Sequence, residues 1–384
     1  MKHILFFNDS LAMGGTEILL VDLLNHLATK AQITLLLPEP SEKNVLLHRV
    51  SPAISVKYLH RAPLSRFKKK LWENTMIFFP RLFAGQKSVS EAGYDEIVCF
   101  KESFFACIFA RMNIPKILWI HNIVYKRKYE TRSVREKLSV WLNRKQLKLT
   151  ERSYNCFDKV ICVSGAAQKA YLSVLHNGKK PKQDIRILHN AIDLAKVKEK
   201  AKEAVAGLPQ SETGFILVTR ISPEKRIDRL IRAIVRLKEE GYHFHVHILG
   251  DGTDNRMMRE ELARKGISEL VTLKGNTDNP FPYILQSKWS LCVSERESFS
   301  LALLESMALK TPVITTDCGG PRDIVENGKY GILVENSAQG VYAGMKSVLD
   351  DPALSVKYSM HLDEAVSRFD HRKWLHSVEK LLVI

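Results

Sequence analysis

Apolar positions in this chain fall into short, nearly continuous runs that alternate with longer stretches of helical spacing. His3–Phe7 is the first run, and it ends at Asn8-Asp9. Thr16–Lys30 then repeats Leu19, Leu20, Leu23, Leu24 and Leu27, the spacing of an amphipathic helix. Ile33–Leu37, Ser55–Leu59, Glu96–Phe100, Lys116–His121, Lys159–Ser164 and Ile185–His189 read as further strands. Several of these runs are apolar almost throughout, as expected of parallel strands covered on both faces. Residues 195–212 break the pattern: they are rich in Lys, Glu and Ala and end in Gly207 and Pro209, which predicts a surface helix running into a linker.

The alternation then resumes. Phe215–Thr219 predicts a strand. Ile227, Leu230, Ile231, Ile234 and Leu237 share one helical face, and Gly241 follows as a stop signal. Phe244–Leu249, Val271–Leu273, Trp289–Val293, Pro312–Thr316 and Gly331–Val334 predict the remaining strands. Two such halves imply an α/β protein of two doubly wound, Rossmann-like domains, 1–194 and 213–367, facing a central cleft. A length of 384 residues fits two domains.

Composition narrows the class. No stretch approaches the roughly 18 uninterrupted apolar residues of a membrane span. The N-terminal run meets Asn8-Asp9 too early for a signal-peptide core. The six cysteines, at 99, 107, 156, 162, 292 and 318, form no C-x-x-C pair, so a disulfide scaffold or zinc ribbon is not expected and a reducing cytoplasm fits. Net charge is +16, and its distribution is lopsided. Residues 1–195 hold 31 Lys and Arg against 16 Asp and Glu, whereas residues 196–384 hold 27 against 26. Two segments supply most of the excess: 61–87, with seven basic residues and one acid, and 126–152, with ten and three. A one-sided basic surface calls for an anionic partner.

Ligands of parallel α/β sheets bind beyond the carboxyl ends of the strands, so the residues there are the candidates. After the first strand comes NDSLAMGGT, opening a helix at Gly14-Gly15. It reads either as an anion-binding helix N-terminus or as a plain turn. It is not G-x-G-x-x-G. After Phe215–Thr219 come Arg220 and Lys225, which can clamp a diphosphate or form a solvated basic loop. His121 ends an apolar run and so faces the cleft; it is either structural or catalytic. The sharpest signal is SERESFSLALLESMALKTPVI, residues 294–314. Leu301, Leu304, Met307 and Ala308 form the apolar face of its helix, and Glu305 falls among them. A carboxylate on a core-facing stripe is costly unless paired or hydrogen-bonded, so Glu305 reads as a site residue able to accept two ribose hydroxyls. Glu297 lies just before the helix N-terminus and reads as functional too. Glu295 and Arg296 read as a solvated pair.

Glu297-x7-Glu305, within S-x-x-E-x-F-x-L-x-x-L-E-x-M-A, resembles the signature of retaining glycosyltransferases of the GT-B fold, family 4. TRISPEK is similar to that family's diphosphate loop, Gly14-Gly15-Thr16-Glu17 to its G-G-x-E turn, HNAID (189–193) to its domain crossover and ILGDG (248–252) to the turn before the nucleotide. TDCGGPRDIV (316–325) resembles a run common in transferases that build bacterial surface polysaccharides. The resemblance implies that Glu305 holds the ribose, that Arg220 and Lys225 hold the diphosphate, and that backbone N–H groups near Gly15 and at Phe299, Ser300 and Leu301 contact phosphate or sugar. It implies that Glu297 bonds the donor sugar, that His121 sits near the anomeric centre, that configuration is retained, and that a C-terminal helix at 368–384 rejoins the first domain. Ser298, Ser300, Arg226 and Ala191 stand where the family usually has glycine. No D-x-D occurs, so metal-bound diphosphate is not indicated; Arg220 and Lys225 would stand in for Mg²⁺, and no cofactor beyond the donor, a UDP-sugar, is expected.

The basic half would then receive the acceptor. Leu64, Phe67, Leu71, Thr75 and Phe78 follow helical spacing beside Arg66, Lys68, Lys69 and Lys70. Such a stretch suits an anionic membrane surface, or else packs its apolar face inward. Together with 126–152 it predicts a peripheral protein on the cytoplasmic leaflet with a lipid-linked, lipopolysaccharide or capsule acceptor. The alternatives are a soluble acceptor, a UDP-sugar epimerase, and a nucleic-acid-binding protein; no recognised nucleic-acid motif accompanies the charge, so nucleic acid is not expected as a partner.

Overall fold

The structure is a computed structural model, and it describes residues 1–79, 93–110, 112–123, 134–176, 178, 181–205, 214–252 and 255–384. It divides into two compact units, Met1–Leu188 with Leu375–Ile384, and His189–Trp374.

The first unit is built on a seven-stranded sheet in the order β3-β2-β1-β4-β5-β6-β7. The strands are β1 (His3–Phe7), β2 (Gln32–Leu37), β3 (Ser55–Tyr58), β4 (Glu96–Cys99), β5 (Lys116–Ile120), β6 (Lys159–Cys162) and β7 (Asp184–Ile187). Every neighbouring pair is parallel. The continuous apolar runs follow from that: Ile4–Phe7, Ile97–Cys99 and Ile117–Ile120 are buried on both faces. Helix α1 (Gly15–Leu27) lays Leu19, Leu20, Leu23, Leu24 and Leu27 into this core, as their spacing predicts. Helices α2 (Arg66–Phe78), α3 (Val134–Tyr154) and α4 (Gly165–Leu175) complete the layers.

The second unit holds a six-stranded parallel sheet in the order β10-β9-β8-β11-β12-β13. Its strands are β8 (Gly214–Val218), β9 (His245–Leu249), β10 (Val271–Gly275), β11 (Trp289–Cys292), β12 (Val313–Thr316) and β13 (Ile332–Val334). Helix α5 (Leu194–Lys200) belongs to this unit. Asp193 caps it by accepting the Lys196 N–H at 3.1 Å, Val197 is buried, and Asn279 Nδ2 donates to the Lys200 carbonyl at 2.8 Å. The units therefore divide at Leu188/His189, ahead of the linker expected at 195–212; residues 206–212 of that stretch lie outside the described residues. Helix α6 (Ile227–Glu239) packs Leu230, Ile231, Ile234 and Leu237 into one cluster with Phe215, Val246 and Trp289. Helices α7 (Leu301–Ala308) and α8 (Ala338–Asp350) follow β11 and β13.

The last helix, α9 (His371–Leu382), returns the chain to the first unit from Leu375 onward. Glu379 takes hydrogen bonds from His26 at 2.5 Å and Lys30 at 2.6 Å, and Lys159 donates to the Leu381 carbonyl at 3.1 Å. The Lys30 and His26 partners hold the Glu379 carboxyl down at about 2.

Candidate functional site

In an open parallel sheet, a crevice forms where neighbouring strands send their connections to opposite sides. In the second unit that switch lies between β8 and β11. The residues after these strands, Thr219–Arg226 and Val293–Ser300, are the two segments singled out from sequence.

They meet side to side. Lys225, in a short helical turn (Pro223–Lys225), forms an ion pair with Glu297 Oε1, and Ser294 Oγ donates to the same oxygen at 3.0 Å. Both side chains are mostly buried, at 15% and 16% exposure, where a charge needs a partner. The loops are laced through the backbone. Glu295 N–H donates to the Glu224 carbonyl at 3.0 Å, Glu297 N–H to Cys318 at 2.9 Å, and Gly320 N–H to Glu297 at 2.7 Å. Glycines permit this closeness. A Cβ on Gly320 would lie 1.8 Å from the Ser298 carbonyl oxygen, and one on Gly250, at φ +134°, 1.8 Å from that of Thr219. The ILGDG turn is thus the strand end against which the Thr219–Ile221 backbone lies, with Ile221 N–H donating to Asp251 at 3.0 Å.

Arg220 occupies a different place. It is 78% exposed, with Glu224 at 3.6 Å, so it stands at the rim while Lys225 lies inside. Glu305 sits on the second turn of α7. The buried face of that helix is Leu303, Leu304, Ser306, Met307 and Ala308; Leu301 is half-buried, and Glu305 lies at the edge of the face rather than within it. Among the described residues none bonds the Glu305 carboxyl, and desolvation pushes it up to about 7. Ser300 caps α7 without its side chain accepting a first-turn N–H, so no cap hydroxyl occupies that turn. Phe299 is buried, its ring 5.7 Å from His189 and 5.6 Å from Phe369.

The first unit has its own switch, between β1 and β4. Ser103 Oγ, after β4, donates to Asp9, after β1. Lys101 reaches Glu17 on α1 at 2.9 Å. A Cβ on Gly14 would meet Glu17 Oε2 at 2.5 Å, so this carboxylate already lies over the Gly14-Gly15 turn proposed for an anion. His121 follows β5 and is 5% exposed. Its backbone N–H donates to Glu102 at 2.7 Å, and its ring packs 4.8 Å from Phe100. Burial, helped by the nearby Lys101 charge, pushes the imidazole down to about 3, so it is neutral at pH 7.

The structure brings Lys225 and Glu297 into contact and puts Arg220 and Glu305 on the elements flanking them. Gly15 lies at the switch of the other unit, and His121 follows β5, one strand beyond it. Sequence reading missed Arg226, Asp228, Arg229 and Asn336. Arg226 pairs with Asp228 and Glu295, while Arg229 bonds Asn336, whose amide donates to the Glu295 carbonyl at 2.9 Å. Glu295 is therefore held by Arg226. The signal was present as Arg226 in a position where the resembled family has glycine.

Residues 198–366, nearly the whole second unit, match the family described as Glycosyl transferases group 1, and residues 13–196 match the one described as Glycosyltransferase Family 4. Each match covers a little under half of the chain, and the two family matches together support a group 1 glycosyltransferase.

Among curated relatives, a Campylobacter jejuni N-acetylgalactosamine-N,N'-diacetylbacillosaminyl-diphospho-undecaprenol 4-alpha-N-acetylgalactosaminyltransferase is 32% identical over 51% of this chain and 53% of its own length. A Staphylococcus aureus poly(ribitol-phosphate) alpha-N-acetylglucosaminyltransferase is 33% identical over 31% of this chain and 24% of its own. The chain thus spans about half, or less, of the length of the curated relatives it matches. Among solved structures, Anabaena HepE in complex with UDP superposes with a TM-score of 0.72 at 18% identity, covering all of both chains. Sucrose-phosphate synthase from Thermosynechococcus elongatus gives 0.78 at 18% identity, covering all of this chain and 98% of its own. At that identity the likeness shows the fold.

Proposed function

We propose that the chain is a retaining glycosyltransferase that moves a hexose or N-acetylhexosamine from a UDP-sugar to a lipid-linked or surface-glycan acceptor on the cytoplasmic face of the membrane. The observation that carries this reading is the Lys225–Glu297 pair across the β8/β11 switch, with Glu305 on the helix that follows. Glu305, whose carboxyl no described residue bonds, accepts the two ribose hydroxyls. Lys225, exchanged from Glu297, and Arg220 at the rim take the diphosphate. Glu297, released from Lys225, accepts hydroxyls of the sugar.

In the transfer, the bond from the anomeric carbon to the diphosphate oxygen breaks and a bond to the acceptor oxygen forms on the same face. The acceptor's proton passes to the departing diphosphate. Negative charge grows on that group, where fixed cations stabilise it most, so no metal ion is needed.

The acceptor side rests on the first unit. Phe67, Leu71, Phe78 and Phe79 in and just after α2 are exposed, as is Trp141 on α3. Phe78 and Trp141 are 6.1 Å apart, and Lys145 lies over both rings, at 5.0 and 4.3 Å. Inward contacts come instead from Met76, fully buried, and Trp72, 5.3 Å from Phe105. An outward apolar stripe rimmed by Lys68, Lys70 and Lys145 suits an anionic lipid surface. Residues 80–87 and 126–133 of the two basic segments lie outside the described residues. No helix among the described residues is long and apolar enough to cross a membrane.

The test is a thermal shift with UDP, GDP, ADP or buffer, with and without Mg²⁺, on wild type and Glu305→Ala. Ligand at about 100 times its dissociation constant stabilises by about 2.7 kcal/mol. Metal-independent stabilisation by UDP, lost in the variant, is the expected result. No response to any nucleotide refutes the donor site.

A further inference from the structure

The loop that carries Lys225 contains a backbone conformation unfavourable for its residue. Arg226 has φ +50° and ψ 42°, the left-handed region, where an L side chain crowds the neighbouring carbonyl. It occupies the N-cap position of α6, yet its side chain makes no cap bond. The guanidinium is used otherwise. Nε and Nη2 donate to the two Asp228 oxygens at 2.9 and 3.0 Å, a fork that fixes the plane of the group. Nη1 reaches Glu295 at 3.5 Å. One side chain therefore ties the first turn of α6 to the loop after β11.

The tied points adjoin the functional ones. Arg226 is the neighbour of Lys225, and Glu295 stands two residues before Glu297. The bond from Glu295 N–H to the Glu224 carbonyl runs alongside the same connection. Glycine at 226 would adopt this φ without strain but would leave the loops joined only by the Lys225–Glu297 pair itself and by the backbone, with no side chain holding that pair in register.

We propose that Arg226 is a positioning residue of the donor site: it holds the Lys225 loop against the Glu297 loop, so that cation and carboxylate are in place before a nucleotide arrives. This rests on the donor-site reading above. Ordering the loops in advance removes that cost from the binding step, so its loss appears as weaker nucleotide binding.

The full chain as wild type, Arg226→Gly, Arg226→Lys and Glu295→Gln is titrated with UDP, and each variant is also melted without ligand. Arg226→Gly melts at or above the wild-type temperature, because the left-handed strain is relieved, while its dissociation constant for UDP rises about tenfold. Glu295→Gln, which leaves the backbone untouched, raises it by a smaller factor. Arg226→Lys keeps a charge without the fork and falls between wild type and glycine. Unchanged UDP affinity in Arg226→Gly overturns the proposal. So does a fall in melting temperature together with affinity, which marks a purely structural role. A wild type that binds no UDP overturns the donor-site reading and this role with it.

Discussion

Glu305→Gln separates stability from function. Burial raises the Glu305 carboxyl from about 4.5 to about 7, and desolvation is the cause. The folded state therefore holds a proton that the unfolded chain gives up at lower pH. Stability is fully present below the unfolded value and falls as pH rises through 7. A tenfold change in proton affinity corresponds to about 1.4 kcal/mol, so the ionised carboxylate costs the free protein about 3 kcal/mol at pH 8 and almost nothing at pH 4. Glutamine keeps the shape and removes the charge. In a unit of this size, each kcal/mol moves the melting temperature by about 2–4 °C. The variant should melt several degrees above wild type at pH 8 and level with it near pH 4, while losing most of its affinity for UDP. Hydroxyls donate to the carboxylate, so UDP binding below pH 7 should also release a proton. Calorimetry in two buffers of different ionisation enthalpy reads that proton. If Glu305→Gln is less stable than wild type at pH 8, or differs by the same amount at every pH, the desolvation argument is wrong. If its UDP affinity is unchanged, the ribose assignment is wrong.

Glu297→Gln frees Lys225 from its ion pair, so titration should show UDP bound more tightly, by a factor of a few, while sugar transfer falls at least a hundredfold; weaker UDP binding would contradict the exchange of partners. Gly250→Ala forces a Cβ to within 1.8 Å of a carbonyl at φ +134°, so the second unit should lose at least about 2 kcal/mol in denaturant melts. The first unit should bind vesicles containing anionic lipid and not neutral ones, with the binding weakened by salt and by Phe67→Ser with Leu71→Ser; sedimentation with vesicles reads this, and failure on anionic vesicles at low salt rules out the membrane surface.

The sheets were legible because parallel strands covered on both faces read as nearly unbroken apolar runs, as in β1, β5 and β8, while the edge strands β3 (SVKY), β7 (DIRI) and β10 (VTLKG) mix in polar residues and are partly exposed. Glu305 was legible because a carboxylate on an apolar helix is expensive. Its setting was less so: the helix turns Leu303 and Ser306 inward and leaves Leu301 at the margin, because β11 meets that face through Ser290, whose hydroxyl bonds Ser306 at 2.8 Å. The Lys225–Glu297 contact could not be read along the chain. Its partners lie 72 residues apart, and only the adjacency of β8 and β11 brings them together. Arg226 was hidden for another reason: a positive φ announces itself as glycine, and here an arginine bears the strain through contacts made after folding.

The α2 stripe shows how far periodicity reaches. Phe67, Leu71 and Phe78 do share a side of the helix, as their spacing predicts, but Trp72 and Met76 fill the core from another side. Period alone finds an apolar face; which of two faces meets the core is decided by the partner surface, here Phe105 and His60 around Trp72. The face left over is the one with lysines at its rim. That makes exposure, rather than charge count, the stronger support for a lipid surface: a solvated basic helix has no need of two phenylalanines and a leucine pointing outward, whereas a helix that rests on lipid does.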